Sequence, residues 1–367
     1  MMVSSKVSLI ATSTARRLFS SMSAAMEGRR PVALFLNASR LDYDNKLDFS
    51  RIQALCDFQR HDTDIVKDLD EMVSLVEKHQ AEIVITKEMP VPEEAFRRFP
   101  DSVKLLCEAG TGYNNLPIQA ARERNVPVCN CPTYSTDAVA HMAITYLMNF
   151  SVSMFDQQRM LWEDNRANFT GPFTLPLSEI NGKTLGLVGG AGKIGTKVAQ
   201  VGLALGMNVI ISSRKPTLPE GHALSDNPRV TVCTSENVGT LLSQSDYVSL
   251  HTPLNDQTRG TFGRAQISQM KQSAFLINTS RGAVCNEEEL IGCMKEKMIA
   301  GAGLDVTTTE PPPMDSELWN LPNVFLSPHT GWRRIETRQR LVTMTAENIE
   351  AYCQANNKEE AMINIVN

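Results

Sequence analysis

Three residues far apart in the chain would make a carboxylate grip and a proton donor if the fold brought them together: Arg281, Glu310 and His329. Each lies at or just beyond the end of a short apolar run. Arg281 follows "AFLINTS", Glu310 comes soon after "AGAGLDV", and His329 closes "NVFLSPH". In a parallel sheet, ligands sit beyond the carboxyl ends of the strands, so residues that end such runs are the ones that meet in a crevice. A guanidinium can hold a carboxylate through two parallel hydrogen bonds and polarise the carbonyl beside it. An imidazole can give a proton to that carbonyl oxygen as a hydride reaches its carbon. A glutamate next to the imidazole favours the charged form and keeps the acid loaded near neutral pH. In reverse, the same histidine is the base that oxidises a 2-hydroxy acid. Singly, each residue has a plainer reading: a structural histidine, a turn-capping arginine, a surface glutamate. Their joint appearance beside a hydride source is what points to chemistry.

The segment "TLGLVGGAGKIGTKVAQ" supplies that source. A strand-like run leads into Gly190-x-Gly192-x-x-Gly195, with Lys193 and Ile194 inside the turn and a helical pattern after it. Glycines here permit a tight turn, close approach of a pyrophosphate, and packing of helix on strand, while amides at the helix start face the anion. The motif reads as a nicotinamide dinucleotide site. The next strand ends "IISSRK", where an acidic residue often holds the ribose of NAD. Ser213 and Arg214 stand there instead, and a hydroxyl with a forked cation suits a 2′-phosphate. The expected cofactor is NADP(H) by preference, with NAD(H) possible. His251, Pro253 and Thr279, at the ends of "DYVSL" and "AFLINTS", are assigned to the same cofactor.

Positioning these residues requires strands alternating with helices. Apolar runs at 32–36, 82–86, 103–107 and 126–130 form a first series, and runs at 184–190, 208–212, 230–233, 246–250, 274–280, 300–306 and 323–327 a second. The expected class is α/β, with two doubly wound, Rossmann-like parallel-sheet domains. A long helical stretch from about 136 to 164 separates them. A last helix from about 334 to 354 presents Ile335, Val342, Thr345, Ile349 and Tyr352 on one face and returns to the first domain. The division is therefore a substrate domain over 28–134 plus 332–367, and a dinucleotide domain over 135–331. Hinges are expected near 132–137 and 328–334.

At 367 residues with a net charge of −5, the chain has no basic excess that would suit nucleic acid or a polybasic membrane surface. The most apolar long window, "AVAHMAITYLMNFSVSMF", is interrupted by His141 and Asn149 and reads as a buried helix, not a membrane span. Eight cysteines lack a repeating spacing, so reduced thiols and no metal site are expected. Residues 1–27 contain Lys6, Arg16 and Arg17, with Glu27 as the first acid, and are rich in serine, threonine and alanine. They read as an organelle-targeting leader, mitochondrial or alternatively plastid, with "RRLFSS" near a cleavage point.

The motifs "GAGKIG", "LHTPL", "INTSRGAVCNEEEL", "GAGLDVTTTEPPP" and "SPHTGW" together resemble the D-isomer-specific 2-hydroxyacid dehydrogenase family over nearly all of the chain after the leader. Through "AGTGYNNL", "YSTDAVA" and "GWRRIETRQRL" it is most similar to the glycerate dehydrogenases, also called hydroxypyruvate reductases. The resemblance places the family's arginine, glutamate and histidine on Arg281, Glu310 and His329. It places the substrate loop on Gly110, Thr111 and Gly112, and a nicotinamide lining on Thr136 and Asp305. It implies a homodimer formed through the cofactor domain, with the 136–164 helix and the following loop at the interface. Two departures stand out. His141 and Met142 occur where the family often has an acid and a histidine, and Gly189 adds a residue before the phosphate turn. Reduction of hydroxypyruvate and glyoxylate is the expected activity. Reduction of pyruvate to D-lactate, and a dinucleotide-sensing, corepressor-like binding protein, remain the alternatives; a formate-type enzyme would pair its histidine with glutamine.

Overall fold

Short apolar runs become most of the strands of two parallel sheets in the computed structural model, which describes residues 30–355 and 362–367. The expected leader over residues 1–27 lies outside the described residues. The first sheet contains β1 (Val32–Phe35), β2 (Asp57–Arg60), β3 (Ile83–Thr86), β4 (Leu105–Glu108) and β5 (Val128–Cys129), in the order β2-β1-β3-β4-β5. The second contains β6 (Thr184–Val188), β7 (Asn208–Ser213), β8 (Val230–Thr234), β9 (Tyr247–Leu250), β10 (Phe275–Asn278), β11 (Gly301–Leu304) and β12 (Val324–Leu326), in the order β12-β11-β10-β9-β6-β7-β8. This is the doubly wound α/β class expected.

The central strands are buried on both faces, which is why they read as continuous apolar runs and not as alternating ones. In the second sheet, Leu185, Leu187, Tyr247 and Ile277 face a core completed by Tyr146, Phe150, Val198 and Leu203. Val248, Leu250, Leu276 and Leu304 face the opposite core with Leu241, Ile267, Leu290 and Met294. Strand alternation thus splits the helices into two layers. The order reverses at β6, which has β7 on one side and β9 on the other, and the glycine turn follows β6.

The chain divides into a unit ending at Cys131 and resumed at Val342–Asn367, and a unit over Pro132–Leu341. The passages fall at 131/132 and 341/342, where the sequence reading put them at 134/135 and 331/332; the second lies inside the helix Ile335–Ala355. That helix buries Val342, Thr345, Ile349 and Tyr352, but Ile335 is 39% exposed, so of the expected face only its first position falls outside the core. In the first unit, Asn348 Nδ2 donates to Asn130 O at 2.9 Å and Tyr352 donates to Glu82 at 2.7 Å.

Two other expectations need correction. β2, "DFQR", is an edge strand of the first sheet that carries no apolar run, so its sequence does not announce it. The long helix expected over 136–164 is two, Thr136–Val152 and Met154–Trp162, bent by 67°. Ser153 takes a left-handed conformation between them (φ 48°), and its hydroxyl donates to Pro176 O while Asn149 Oδ1 accepts from the Phe155 amide. Among the described residues no single helix is long and apolar enough to cross a membrane. All eight cysteines are free thiols, six of them buried.

Candidate active site

The turn after β6 divides its work among four glycines. Gly189 has φ +72°, a conformation that disfavours any side chain. A Cβ on Gly190 would lie 2.4 Å from Leu187 Cβ, and one on Gly195 would lie 2.4 Å from Gly190 O, so turn and helix touch backbone to backbone. A Cβ on Gly192, in contrast, would meet nothing within 4 Å. Gly192 caps the helix Lys193–Ala204 and leaves open space in front of its first amides, which is the cradle a pyrophosphate requires. The sequence gives Gly190 as the first glycine of the fingerprint with Gly189 able to share the role, and Gly189 supplies the left-handed turn. Ser212 was missed. It is buried, and its Oγ accepts the Gly189 amide at 3.0 Å, tying the end of β7 to the turn. Lys193 is exposed and Ile194 half-buried at the helix start.

A cavity of about 360 Å³ opens beside this turn, lined by Thr136, Ala191, Lys193, Thr196, Lys197 and His222. The fold therefore brings Thr136, the first residue of its helix, next to the phosphate turn. Arg281, Glu310 and His329 do not line that cavity. Ser213 is the last residue of β7, and Arg214 just after it is exposed, its side chain without a hydrogen bond or ion pair to another described residue. His141 projects from its helix into solvent.

His251 and Thr279 end neighbouring strands, and each carries an orphaned polar atom: among the described residues, neither His251 Nε2 nor Thr279 Oγ1, both out of solvent, has a partner. Buried polar groups are nearly always satisfied, so such atoms mark where a bound group belongs. Pro253 is exposed beyond them. With the open cradle at Gly192, these residues fit a dinucleotide lying across the carboxyl ends of β6, β9 and β10.

His251 is half-buried as a residue, yet its ring nitrogen is fully enclosed, and burial pushes its pKa down to about 4 from 6.5. The ring is neutral in the folded protein at neutral pH. The unfolded chain binds a proton near pH 6.5 that the folded chain refuses until about pH 4, so stability falls as pH drops through that window. His251→Phe is expected to flatten the acid side of the stability profile by about 1 kcal/mol between pH ~6.5 and ~5. Urea melts of the ligand-free protein measure this, and an unchanged slope would assign the acid sensitivity elsewhere.

The three strand-end residues come from three adjacent strands. Arg281 follows β10 and starts the short 3-10 turn Gly282–Val284. Asn278, buried at the end of β10, organises this loop: its Nδ2 donates to Arg281 O at 3.0 Å and its Oδ1 accepts from Ser280. A Cβ on Gly282 would lie 2.0 Å from the Thr307 backbone, so the arginine loop packs directly on the loop that carries Glu310. His329 follows β12, and its Nδ1 lies 2.7 Å from Glu310 Oε2. Glu310 is steadied in turn by the Thr307 amide. His329 has φ 51°, a left-handed conformation that costs a non-glycine residue about 1 kcal/mol. Asp305 holds it there: its carbonyl accepts the His329 amide, and its buried carboxylate accepts the amides of Thr330 and Gly331, each at 2.9 Å. Asp305 was assigned to the nicotinamide; both of its oxygens are engaged with the histidine loop.

Gly110, Thr111 and Gly112 follow β4 in the other unit. Gly110 O accepts from the Cys131 amide, Thr111 Oγ1 donates to Cys131 O, and Asn130 Nδ2 donates to Thr111 O. Beneath them Glu108 is fully buried, and desolvation raises its pKa while the nearby Lys87 opposes this. Its carboxylate accepts from Thr86, the Glu88 amide and Asn115.

A glycine turn after the first strand of a parallel sheet, a switch point beside it, and an imidazole–carboxylate pair at neighbouring strand ends define a dinucleotide-dependent oxidoreductase of the doubly wound class. Residues 144–331 match the NAD-binding domain of the D-isomer-specific 2-hydroxyacid dehydrogenases. The chain is 31% identical over 327 residues to a hydroxypyruvate reductase of Blautia hydrogenotrophica, covering 88% of this chain and 95% of that one. It is 34% identical to a glyoxylate reductase of Korarchaeum cryptofilum, covering 78% and 80%. Among solved structures, a glyoxylate reductase from Paecilomyes thermophila superposes with a TM-score of 0.77 at 25% identity, over 92% of this chain and 98% of the other. An acyclic imino acid reductase in complex with NADPH and D-Arg gives 0.76 at 25%, over 92% and 100%. The chain belongs to the D-isomer-specific 2-hydroxyacid dehydrogenase family.

Proposed function

We propose that this protein is a reductase of small 2-oxo acids that turns hydroxypyruvate into D-glycerate and glyoxylate into glycolate, with NADPH preferred over NADH. The observation that carries the reading is the 2.7 Å contact between His329 Nδ1 and Glu310 Oε2 at the strand ends of a dinucleotide-binding sheet. Relatives named as hydroxypyruvate and glyoxylate reductases support the substrate class. The bound nicotinamide supplies the hydride. Arg281 binds the substrate carboxylate and orients the 2-oxo group, and the family resemblance assigns the amides of Gly110, Thr111 and Gly112 to substrate. Glu310 accepts the Nδ1 proton of His329, which assigns proton delivery to Nε2. As the carbonyl π bond breaks and carbon gains hydrogen, His329 protonates the oxygen. A matrix of rates with hydroxypyruvate, glyoxylate and pyruvate against both cofactors tests the reading. Clear preference for pyruvate would replace it with a D-lactate dehydrogenase, and cofactor binding without any turnover would replace it with a dinucleotide sensor.

The cofactor preference rests on Ser213 and the exposed Arg214 where the ribose end of the dinucleotide belongs. A forked, charge-assisted contact to a 2′-phosphate is worth roughly 1.5–3 kcal/mol. Arg214→Ala is therefore expected to weaken NADPH binding by about 10- to 100-fold while leaving NADH nearly untouched. Fluorescence titration with both cofactors decides, since an equal loss for both removes the phosphate role.

A homodimer completes the reading. Trp162 and Phe169 are 82% and 77% exposed, and Met154, Phe155, Phe173 and Leu177 on the same stretch of chain are exposed with them, side chains that a partner subunit would cover. Sedimentation velocity tests this; a monomer at micromolar concentration refutes it. Import into mitochondria, resting on residues 1–27, is tested by the location of a fluorescent fusion with and without them.

A further inference from the structure

We propose that Tyr146, on a helix remote in sequence from the strand-end residues, is a positioning residue for His329, acting through Ser327 and Asp305. The inference rests on the reductase reading. Tyr146 OH lies 2.7 Å from Ser327 Oγ, and Ser327 Oγ donates to Asp305 Oδ1. The direction of the chain follows from its end. A carboxylate only accepts, so the single hydroxyl proton of Ser327 points to Asp305, and Ser327 must then accept from Tyr146. Tyr146 is 2% exposed, and burial pushes its hydroxyl well above the usual phenol range, so it remains a donor at any working pH.

The sheet is shaped to admit this side chain. A Cβ on Gly303 in β11 would come within 2.4 Å of the Tyr146 ring, so only glycine at that position leaves room for it. A Cβ on Gly331 would lie 2.9 Å from Asp305 Oδ2, so glycine there also allows the carboxylate to reach the loop. Arg334 Nη1 spans Gly331 O and Ala138 O, fastening the far side of the same loop to the helix that carries Tyr146. Asp305 imposes the left-handed turn at His329, and Ser327 and Tyr146 set the plane in which its carboxylate lies. Without the phenol hydroxyl, the half-buried Ser327 Oγ loses its donor and is free to rotate away from Asp305.

The test is Tyr146→Phe in the full-length protein, with Ser327→Ala and Ser327→Thr beside it. Tyr146→Phe is expected to lower kcat for hydroxypyruvate about 10-fold, with KM and NADPH affinity held within about 2-fold. The ring resonances of His329 in the ligand-free protein should shift or broaden. Ser327→Ala should lose at least as much, and Ser327→Thr, which keeps the hydroxyl, should restore it. A kcat within about 2-fold of wild type together with unmoved His329 resonances overturns the proposal, as does a parallel loss of NADPH binding, which would mean general damage to the domain. Should the wild type reduce no 2-oxo acid, the functional reading fails separately, and the His329 resonances still decide the positioning role.

Discussion

His329→Ala is expected to lower kcat for 2-oxo acid reduction by about 10³-fold while NADPH affinity stays within about 2-fold. The imidazole held by Glu310 is the assigned proton source, and nothing in the glycine turn depends on it. Because His329 occupies a left-handed conformation, alanine there changes backbone preference as well as chemistry. His329→Asn separates the two effects, since asparagine tolerates that conformation but cannot act as an acid. Equal losses in both variants assign the defect to proton transfer. If the asparagine variant keeps most of the activity in stopped-flow single turnovers, His329 is a structural residue and the catalytic assignment fails.

Arg281→Ala is expected to reduce kcat/KM for hydroxypyruvate by about 10²- to 10³-fold, the equivalent of two charge-assisted hydrogen bonds partly replaced by water. The loop itself should persist, because Asn278 fixes it through the backbone and Gly282 keeps its contact with Thr307. Arg281→Lys should recover only part of the loss, as an ammonium restores charge without the planar fork. Steady-state kinetics with an added guanidinium salt check the assignment. A variant whose KM for the oxo acid does not move would show that the carboxylate is held elsewhere.

Much of this architecture is legible in the chain because the central strands of the larger sheet are buried on two faces and must be apolar throughout. "DFQR" fails that test, since an edge strand needs only backbone pairing on one side. The break at Ser153 had no local signal, because serine seldom takes a left-handed conformation and what holds it, Pro176, lies in a later loop. Arg281, Glu310 and His329 could be found because position at a strand end, combined with side-chain chemistry, restricts the choices. Tyr146 could not. Its partner is 181 residues away, its helix reads as ordinary core, and the space for its ring is visible only as a glycine on another strand. Ser212 was hidden in the same way behind Ser213, the neighbour whose side chain was assigned to the cofactor.

The direct backbone contact between Gly190 and Gly195 bears on how a cofactor-blind form of this protein can be made. A methyl group on Gly195 would push the helix Lys193–Ala204 off the turn and one on Gly190 would collide with Leu187 of β6, so the resulting polypeptide would be defective for reasons unrelated to nucleotides. Gly192 alone offers a vacant direction, so a bulky replacement there obstructs the ligand while the scaffold stays intact. An honest binding-dead control for cell experiments should be built at that residue.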